Sequence, residues 1–268
     1  MDHLRRRQAP ISDVAWSAID QEASQTLRHV LAARALVDFD GPHGWEFASV
    51  TTGRVHDLEP GSAPSPTAAA VRDVQPLLEL RTPFTVSRAE IDAIDRGAVD
   101  PDLDAVTIAA QALGTAEDRL VFHGSATLRG IATASVHSPV SIPADFDTFP
   151  RAVAQAVATL SAAGIGGPYG MAMGARAYTM LLEYSEHGGY PLLNHVKLIL
   201  GGPVMWAPAV DGAVLLSLRG GDHTLVVGED ASIGYASHDA SSVQLYLEES
   251  IAVQVRDPRA AIALVYAA

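Results

Sequence analysis

The spacing of apolar residues changes along the chain, from a helical period near the start to a strand period near the end. Ser12 and Asp13 suit a helix N-terminus, by capping and by charge against the helix dipole. Behind them, apolar side chains recur three and four positions apart and predict one long amphipathic helix. They are Trp16, Ile19, Ala23, Leu27 and Val30. Core packing is sufficient to explain this stripe.

Two extended segments flank a proline-rich stretch in the next part of the chain. Residues 45–56 and 71–81 have strand character, whereas prolines in residues 59–67 exclude helix or central strand, because proline removes backbone donors. The pattern predicts a two-stranded arm with an irregular tip. An isolated two-stranded hairpin is marginal in water, so the arm needs a surface to lie on. A mobile loop of the same subunit is the alternative.

The next segment switches from strand to helix. Leu80–Val86 is strand-like, and Pro83 indicates a sheet edge. Ser87 and Glu90 have the spacing of a capping box, which predicts a short helix. The longest helix is predicted over residues 101–123, because proline and acidic residues stand at its start and glycine follows its end.

Helices and strands alternate after residue 124. The predicted helices cover residues 148–163, 176–184 and 192–200. The predicted strands cover residues 169–173, 204–206 and 214–218. A glycine-containing loop, Ser185–Pro191, lies between the last two helices.

A pair of glycines separates two apolar runs in the last quarter of the chain. Gly220 and Gly221 follow the run 214–218 and precede the run 224–227. Glycine takes positive φ at no steric cost, so the sequence predicts a tight β-hairpin at this point. A second turn and a further strand follow, to residue 236.

The longest alternation of apolar and polar residues runs from residue 243 to 255, and on its apolar face only Glu249 interrupts it. A strand of this length spans roughly 43 Å and suits one that joins two domains. We interpret Glu249 as an ion-paired structural carboxylate, because the sequence shows no catalytic partner for it.

Composition narrows the functional classes. Of 268 residues only 18% are charged and 48% are hydrophobic, so much of the surface is expected to be covered by partners. The net charge of −13 argues against a nucleic-acid-binding protein. The absence of cysteine excludes disulfides and thiolate zinc sites. No secretory signal or membrane-spanning run is visible, so a cytoplasmic protein without a membrane partner is expected.

The search for catalytic motifs gives no candidate. Asp100, Asp102 and Asp104 have the opening spacing of a calcium loop, but Ala105 replaces the required glycine and Gln111 the required glutamate. No G-x-S-x-G, Walker A or H-E-x-x-H string occurs. The sequence therefore predicts no catalytic, cofactor or metal site, and a protein that is not an enzyme.

Residue blocks along nearly the whole chain resemble the encapsulin shell proteins, also called the linocin or bacteriocin family. The blocks include Ala9-Pro10, Trp16, Gly41-Pro42, Gly44-Trp45, Pro76-Leu77, Leu80-Arg81, Gly130-Ile131, Gly167-Pro168-Tyr169, Tyr190-Pro191 and Arg219-Gly220-Gly221-Asp222. The pattern is most similar to actinobacterial members at Glu186-His187 and over residues 233–239.

This resemblance implies an α+β, Hong Kong 97 phage-capsid-like fold with three parts. The peripheral domain would comprise residues 1–46, 82–127 and 221–268; the extended loop, residues 47–81; and the axial domain, residues 128–220. It also implies a cytoplasmic icosahedral cage, a homo-oligomer of about 60 copies (T=1) built of pentamers. The cage would enclose a cargo enzyme, a dye-decolorising peroxidase or a ferritin-like iron-storage protein, docked by its C-terminal targeting peptide.

Two sites follow from the resemblance. The cargo-peptide groove would be formed by Leu27, Val30, Leu31, Arg34, Asp38, Ile233 and Tyr235, with an apolar floor and one charge of each sign. The alternative is that these residues are internal core. The five-fold pore loop would comprise Ser185, Glu186, His187, Gly188, Gly189 and Tyr190, which is one glycine more than the usual family loop.

Two other functions fit the same sequence less well. A bacteriophage major capsid protein would share the fold and enclose nucleic acid, which the acidic composition disfavours. A peptidase or bacteriocin activity, suggested by older family names, would need a nucleophile–base arrangement that the sequence lacks.

Overall fold

The structure is a computed structural model that describes residues 3–59, 64, 66–185 and 189–267. Its helices are α1 Asp13–Val30, α2 Arg88–Asp95, α3 Asp104–His123, α4 Ile131–Ala134, α5 Phe149–Ala162, α6 Ala175–Glu183 and α7 Leu192–Leu200. Its strands are β1 Asp38–Asp40, β2 Ser49–Asp57, β3 Ala70–Pro76, β4 Leu78–Ser87, β5 Val140–Ile142, β6 Tyr169–Met173, β7 Val204–Trp206, β8 Ala213–Ser217, β9 His223–Val227, β10 Ser232–His238, β11 Ser242–Val255 and β12 Ala261–Tyr266.

The first sheet is built around β11. Ile251 of β11 pairs with Leu78 of β4 and also with Val227 of β9, so these two strands lie on opposite sides of β11. Strands β9 and β10 lie end to end on the same side of β11. Strand β1 pairs with β9 in a parallel orientation. Pro83 lies on β4, whose pairing among the described residues is with β11 alone, as the sequence predicted for an edge strand.

Helices α1 and α3 cover one face of this sheet. The α1 N-terminus forms as predicted, since the Ser12 hydroxyl accepts a hydrogen bond from the Ala15 amide at 3.1 Å. The apolar stripe of α1 packs with α3 and with the alternate residues of β11 in one core. Leu245 and Leu247 carry the β11 side of that core and are 1% exposed.

The second sheet has the order β5-β12-β8-β6-β7, with α5 and α7 packed against it. Every residue of β6 and β8 is buried, which is the pattern of strands covered on both faces. A third cluster of buried residues links the two sheets, because Leu216 of β8 and Val253 of β11 belong to it together. The two sheets therefore share part of one hydrophobic core.

Strands β2 and β3 form the predicted two-stranded arm. Its apolar side chains remain in solvent, since Val55 is 61% exposed and Val71 is 51% exposed. A hairpin in this state buries too little apolar surface to order itself in water.

Two local sequence predictions are wrong in detail. Gly220 and Gly221 do not close a hairpin, because β8 and β9 belong to different sheets; the glycines, at φ 83° and 82°, carry the chain between them. Only half of the predicted capping box forms: the Ser87 hydroxyl caps Ala89, but Glu90 accepts from the Asp102 amide at 3.0 Å.

Residues 221–268, which the resemblance assigns to the peripheral domain, contribute to both sheets. Their last strand, β12, pairs with β8 and β5 in the second sheet. The apolar pattern of a run such as Ala261–Tyr266 indicates that the run is buried, but it does not indicate which sheet the run joins.

Candidate functional site

A groove of about 700 Å³ runs between the C-terminal half of α1 and the first sheet. Its floor is apolar, with Ala23, Leu27 and Leu31 on the helix side. Ile233 and Leu247 form the sheet side, and these two residues are direct partners in the β10–β11 register. The floor is therefore formed by α1 and the first sheet, which pack against each other in the core.

Charged residues line the rim of the groove. Arg6 pairs with Asp20 at 2.6 Å, and Arg34 pairs with Asp230 at 2.7 Å. Arg28 lies on the exposed side of α1 and adds a further positive charge. An apolar floor with a charged rim suits an extended peptide that carries apolar side chains.

Arg34 also reaches inward, below the groove, into a buried ionic cluster. Its guanidinium bonds Glu117 of α3 at 2.6 Å and Glu249 of β11 at 3.1 Å. Both carboxylate side chains are completely shielded from solvent, and Glu249 Oε1 has no hydrogen-bond partner. The prediction that Glu249 is ion-paired is confirmed.

The neighbouring Asp118 holds the turn that follows α1. Its carboxylate accepts hydrogen bonds from the amides of Ala33 at 2.9 Å and Ala32 at 3.2 Å. The same side chain lies against Glu117 and close to the Arg34 guanidinium. The end of α1, α3 and β11 are therefore joined by one polar network beneath the groove.

The pKa values in this network follow from burial and crowding. Burial raises the pKa of Glu249 well above its usual value, and the charge of Glu117 adds to the rise, whereas Arg34 opposes it. Burial likewise raises the pKa of Asp118 to about 7, against the hydrogen bond from Ala33. For Arg34, burial lowers the pKa, but the bonds to Glu117 and Asp230 more than offset this.

The structure brings together four of the seven residues predicted for the cargo groove. Leu27, Leu31, Arg34 and Ile233 line it. The predicted positive charge, however, is directed at buried carboxylates as well as at the rim, so it is not free for a ligand.

The other three predicted residues lie elsewhere. Val30 is buried between α1 and α3, where its Cγ2 would be only 2.5 Å from a Cβ built on Gly114. Asp38 accepts from the Gly221 amide at 2.6 Å, at the start of β1. Tyr235 lines a separate cavity with Tyr246 and bonds His238 Nδ1 at 2.6 Å.

Sequence reasoning missed Asp230 and Leu247, which also line the groove. Leu247 faces Ile233 only because of the β10–β11 register, which one-dimensional periodicity does not specify. Asp230 stands in the turn before β10 and reaches Arg34 across 196 positions of sequence.

The predicted pore loop is described only at its two ends. Ser185, Gly189 and Tyr190 are exposed, and Ser185 forms an antiparallel bridge with Pro191. Glu186, His187 and Gly188 lie outside the described residues.

Known structures define the class of the fold. A virus-like particle from Pyrococcus furiosus matches with a TM-score of 0.63 at 18% identity, over 92% of this chain and 97% of that chain. The structure of Mycobacterium phage Bobi matches with a TM-score of 0.58 at 14% identity, over 89% of this chain and 91% of that one. The chain has the Hong Kong 97 capsid-type α+β fold, as predicted.

Comparison of sequences identifies the family. The family model Linocin_M18, described as encapsulating protein for peroxidase, matches residues 1–252. A type 1 encapsulin shell protein of Rhodospirillum rubrum is 50% identical over 270 residues, which is 98% of this chain and 96% of that protein. This chain belongs to the encapsulin shell protein family, and the resemblance seen in its sequence is confirmed.

The relatives are named as shell proteins, which agrees with a structural role. Within the described residues, no helix has both the length and the apolar character needed to cross a bilayer.

Proposed function

We propose that this chain is the shell subunit of an encapsulin compartment, and that its copies close into a cytoplasmic icosahedral cage around a cargo enzyme. The observation that carries the proposal is the 50% identity, over 98% of the chain, to a type 1 encapsulin shell protein. The exposed valines of the β2–β3 arm support it, because they need a surface that the subunit itself does not offer.

In this proposal the arm lies on a neighbouring subunit, and the second sheet with its helices meets its copies at the five-fold axis. Electron microscopy and light scattering of the purified protein test assembly. We expect uniform hollow particles of roughly 1.7 MDa, for about 60 subunits of 28.1 kDa each. A stable monomer at micromolar concentration would contradict the proposal.

The groove beside α1 binds the C-terminal targeting peptide of the cargo. The peptide would place apolar side chains on the floor between Leu31 and Ile233 and be oriented by the charged rim. The cargo is expected to be a dye-decolorising peroxidase or a ferritin-like iron-storage protein.

Leu31→Asp tests the groove, and Val14→Asp is its matched control, because Val14 lies on the same helix, is 62% exposed and does not line the groove. Each variant is co-expressed with a fluorescent protein that carries the cargo tail. We expect Leu31→Asp cages to assemble and lose nearly all fluorescence, while Val14→Asp cages load normally. Equal loading of both variants would remove the assignment.

The loop from Ser185 to Tyr190 lines the five-fold pore and controls access of small substrates to the cargo. A ring of imidazoles from His187 would change its charge between about pH 5 and 8. In cages loaded with a peroxidase, His187→Ala is expected to change the rate with a charged substrate but not with a neutral one. Identical rates with both substrates would contradict this role.

A phage-type capsid that encloses nucleic acid is the second candidate, because the fold likeness to a mycobacteriophage structure favours it. The ratio of absorbance at 260 and 280 nm of nuclease-treated particles distinguishes the two functions. We expect the ratio of pure protein, since the chain has a net charge of −13 and therefore repels phosphate.

A further inference from the structure

His3, Glu229 and Glu248 converge on the face of the first sheet that points away from α1. Side chains alternate along β11, so Glu248 lies on the face opposite to Leu247, which packs beneath α1. One donor atom from each of the three residues lies within 4.8 Å of the others. The donors come from three parts of the chain: the N-terminal segment, the β9–β10 turn and β11.

The surrounding structure holds each donor in place. The N-terminal segment is tied to β10, because the Tyr235 amide donates to the Leu4 carbonyl at 2.8 Å. The ring of Trp45 stacks on the imidazole of His3, with centroids 4.8 Å apart and planes 14° from parallel. These contacts fix the orientation of the imidazole before any ligand arrives.

The two carboxylates are held as firmly. Two hydrogen bonds to Ser250 hold the turn that carries Glu229. The Glu229 amide donates to the Ser250 hydroxyl at 2.9 Å, and the Ser250 amide donates to the Glu229 carbonyl at 3.0 Å. Arg81 Nε bonds Oε2 of Glu248 at 3.0 Å. The other oxygen, Oε1, is the one that faces His3, at 3.8 Å.

The contact between His3 and Glu229 places two potential metal donors side by side. His3 Nε2 and Glu229 Oε2 are 2.6 Å apart and both atoms are buried, yet neither has a partner with hydrogen-bond geometry. When Nε2 carries no proton, its lone pair and that of the carboxylate oxygen repel at this distance unless a cation lies beside them, whereas a proton on Nε2 makes the contact an ion pair. Donors about 2.0–2.2 Å from one metal ion are separated by about 3 Å, and the observed 2.6 and 3.8 Å lie on either side of that value.

Charge and space agree with this interpretation. The guanidinium of Arg81 pairs with Glu248 and also with Glu79, and Glu229 adds a third carboxylate beside Glu248, so negative charge exceeds positive charge at the site when His3 is neutral. A cavity of about 180 Å³, lined in part by Trp45, Glu229 and Glu248, adjoins the donors and has room for an ion with several waters.

We infer that His3, Glu229 and Glu248 form a binding site for a divalent first-row transition-metal ion, such as Zn²⁺ or Co²⁺. The imidazole donor favours these ions over Mg²⁺ and Ca²⁺, which prefer oxygen ligands alone. A bound metal ion would hold the N-terminal segment against the sheet, because His3 belongs to that segment and Glu248 to the sheet. The site lies on the opposite sheet face from the groove, and one subunit supplies all three donors.

Metal binding is measured on the full-length, untagged protein after removal of metal with EDTA. The probes are Zn²⁺, counted by elemental analysis after gel filtration, and Co²⁺, followed by visible absorption and by quenching of tryptophan fluorescence. We expect one tight ion per subunit, and at least about tenfold weaker binding in His3→Ala and in the nearly isosteric Glu229→Gln. Quenching by Co²⁺ should fall in Trp45→Phe, because Trp45 stacks on the ligand His3.

His43→Ala is the matched control. His43 also faces a carboxylate, Asp40, at 3.0 Å, but it is not part of a three-donor group. Binding in this variant should equal that of the wild-type protein. The site is disproved if the wild-type protein binds no Zn²⁺ at about 100 µM. Equal binding by the wild-type protein, His3→Ala and Glu229→Gln would show that the His3–Glu229 contact is only an ion pair.

Discussion

Replacing Arg34 by methionine should destabilise the subunit strongly. The side chain of methionine fills much of the same volume but supplies no charge. Glu117 and Glu249 would then share a buried space without their common counter-ion. Loss of one partner from a buried ion pair costs about 3–5 kcal/mol, because the remaining charge is left in a poorly polarisable environment.

The cost has a ceiling, since a carboxylate can take up a proton instead of remaining charged. At pH 7, protonating a glutamate with an ordinary pKa of 4.5 costs about 3.4 kcal/mol. The pKa of Glu249 is already raised in the wild-type protein, so part of the free-energy cost of burying this carboxylate is present before the substitution. We therefore expect a loss at the lower end of the range for a broken buried ion pair, about 3–4 kcal/mol.

Thermal unfolding by calorimetry or intrinsic fluorescence measures the effect. Each kcal/mol corresponds to about 2–4 °C for a chain of this size, so the midpoint should fall by about 6–16 °C. Subunit concentrations must be equal, because assembly couples stability to concentration. Arg6→Met is the control, since Arg6 forms a partly exposed pair with Asp20 and should cost about 1 kcal/mol or less.

The sign of the pH dependence gives the sharper test. Groups whose pKa is raised on folding contribute stability at low pH and lose it as pH rises through the folded-state value. The deficit of Arg34→Met should therefore shrink by about 1.4 kcal/mol per pH unit, for each carboxylate that takes up a proton, between pH 7 and 5. Adding Glu117→Gln and Glu249→Gln should restore most of the loss. A deficit below about 1 kcal/mol, or one independent of pH, would refute this reasoning.

Three further predictions concern other parts of the subunit. Because burial raises the pKa of Asp118 to about 7, this side chain contributes about 2–3 kcal/mol more stability at pH 5 than at pH 8, and Asp118→Asn should lack this contribution. In calorimetry, the stability of the wild-type protein relative to Asp118→Asn should therefore increase by that amount from pH 8 to pH 5. Gly234→Ala should cost about 1–3 kcal/mol in chemical denaturation, because its Cβ would lie 2.2 Å from the ring of Tyr246, whereas Gly166→Ala meets nothing within 4 Å and should be neutral. Replacing residues 50–75 of the arm by a short Gly-Ser linker should leave a folded subunit that elutes as a small species in gel filtration, because the pair Ser49–Pro76 already places the two ends side by side; normal cages from this variant would contradict a role of the arm in assembly.

Helices and strands were predictable wherever apolar residues recurred at a regular spacing over a long run. The stripe from Trp16 to Val30 predicted α1, and the alternation around Glu249 predicted β11. These patterns are local, because each residue indicates only whether its own side chain is buried. The two strands of the arm were also predictable locally, since the prolines between them exclude a helix or a central strand.

Pairing between distant elements was not predictable. Nothing in the run Ala261–Tyr266 shows that it pairs with Val140–Ile142 and Ala213–Ser217. The hairpin at Gly220-Gly221 failed for the same reason, because two glycines suit a tight turn and a passage between sheets equally well. In the candidate groove, Leu27 and Leu31 were found from helical spacing, whereas Leu247 required the register of β10 against β11.

The position of β12 has a consequence for how the protein is made. This strand lies between β5 and β8, although its residues are synthesised after every other strand of that sheet. While a ribosome is still translating residues before Ala261, β8 lacks its outer neighbour and the edge that β12 will fill stays open. The second sheet of a nascent subunit therefore cannot be completed before β12 has been synthesised.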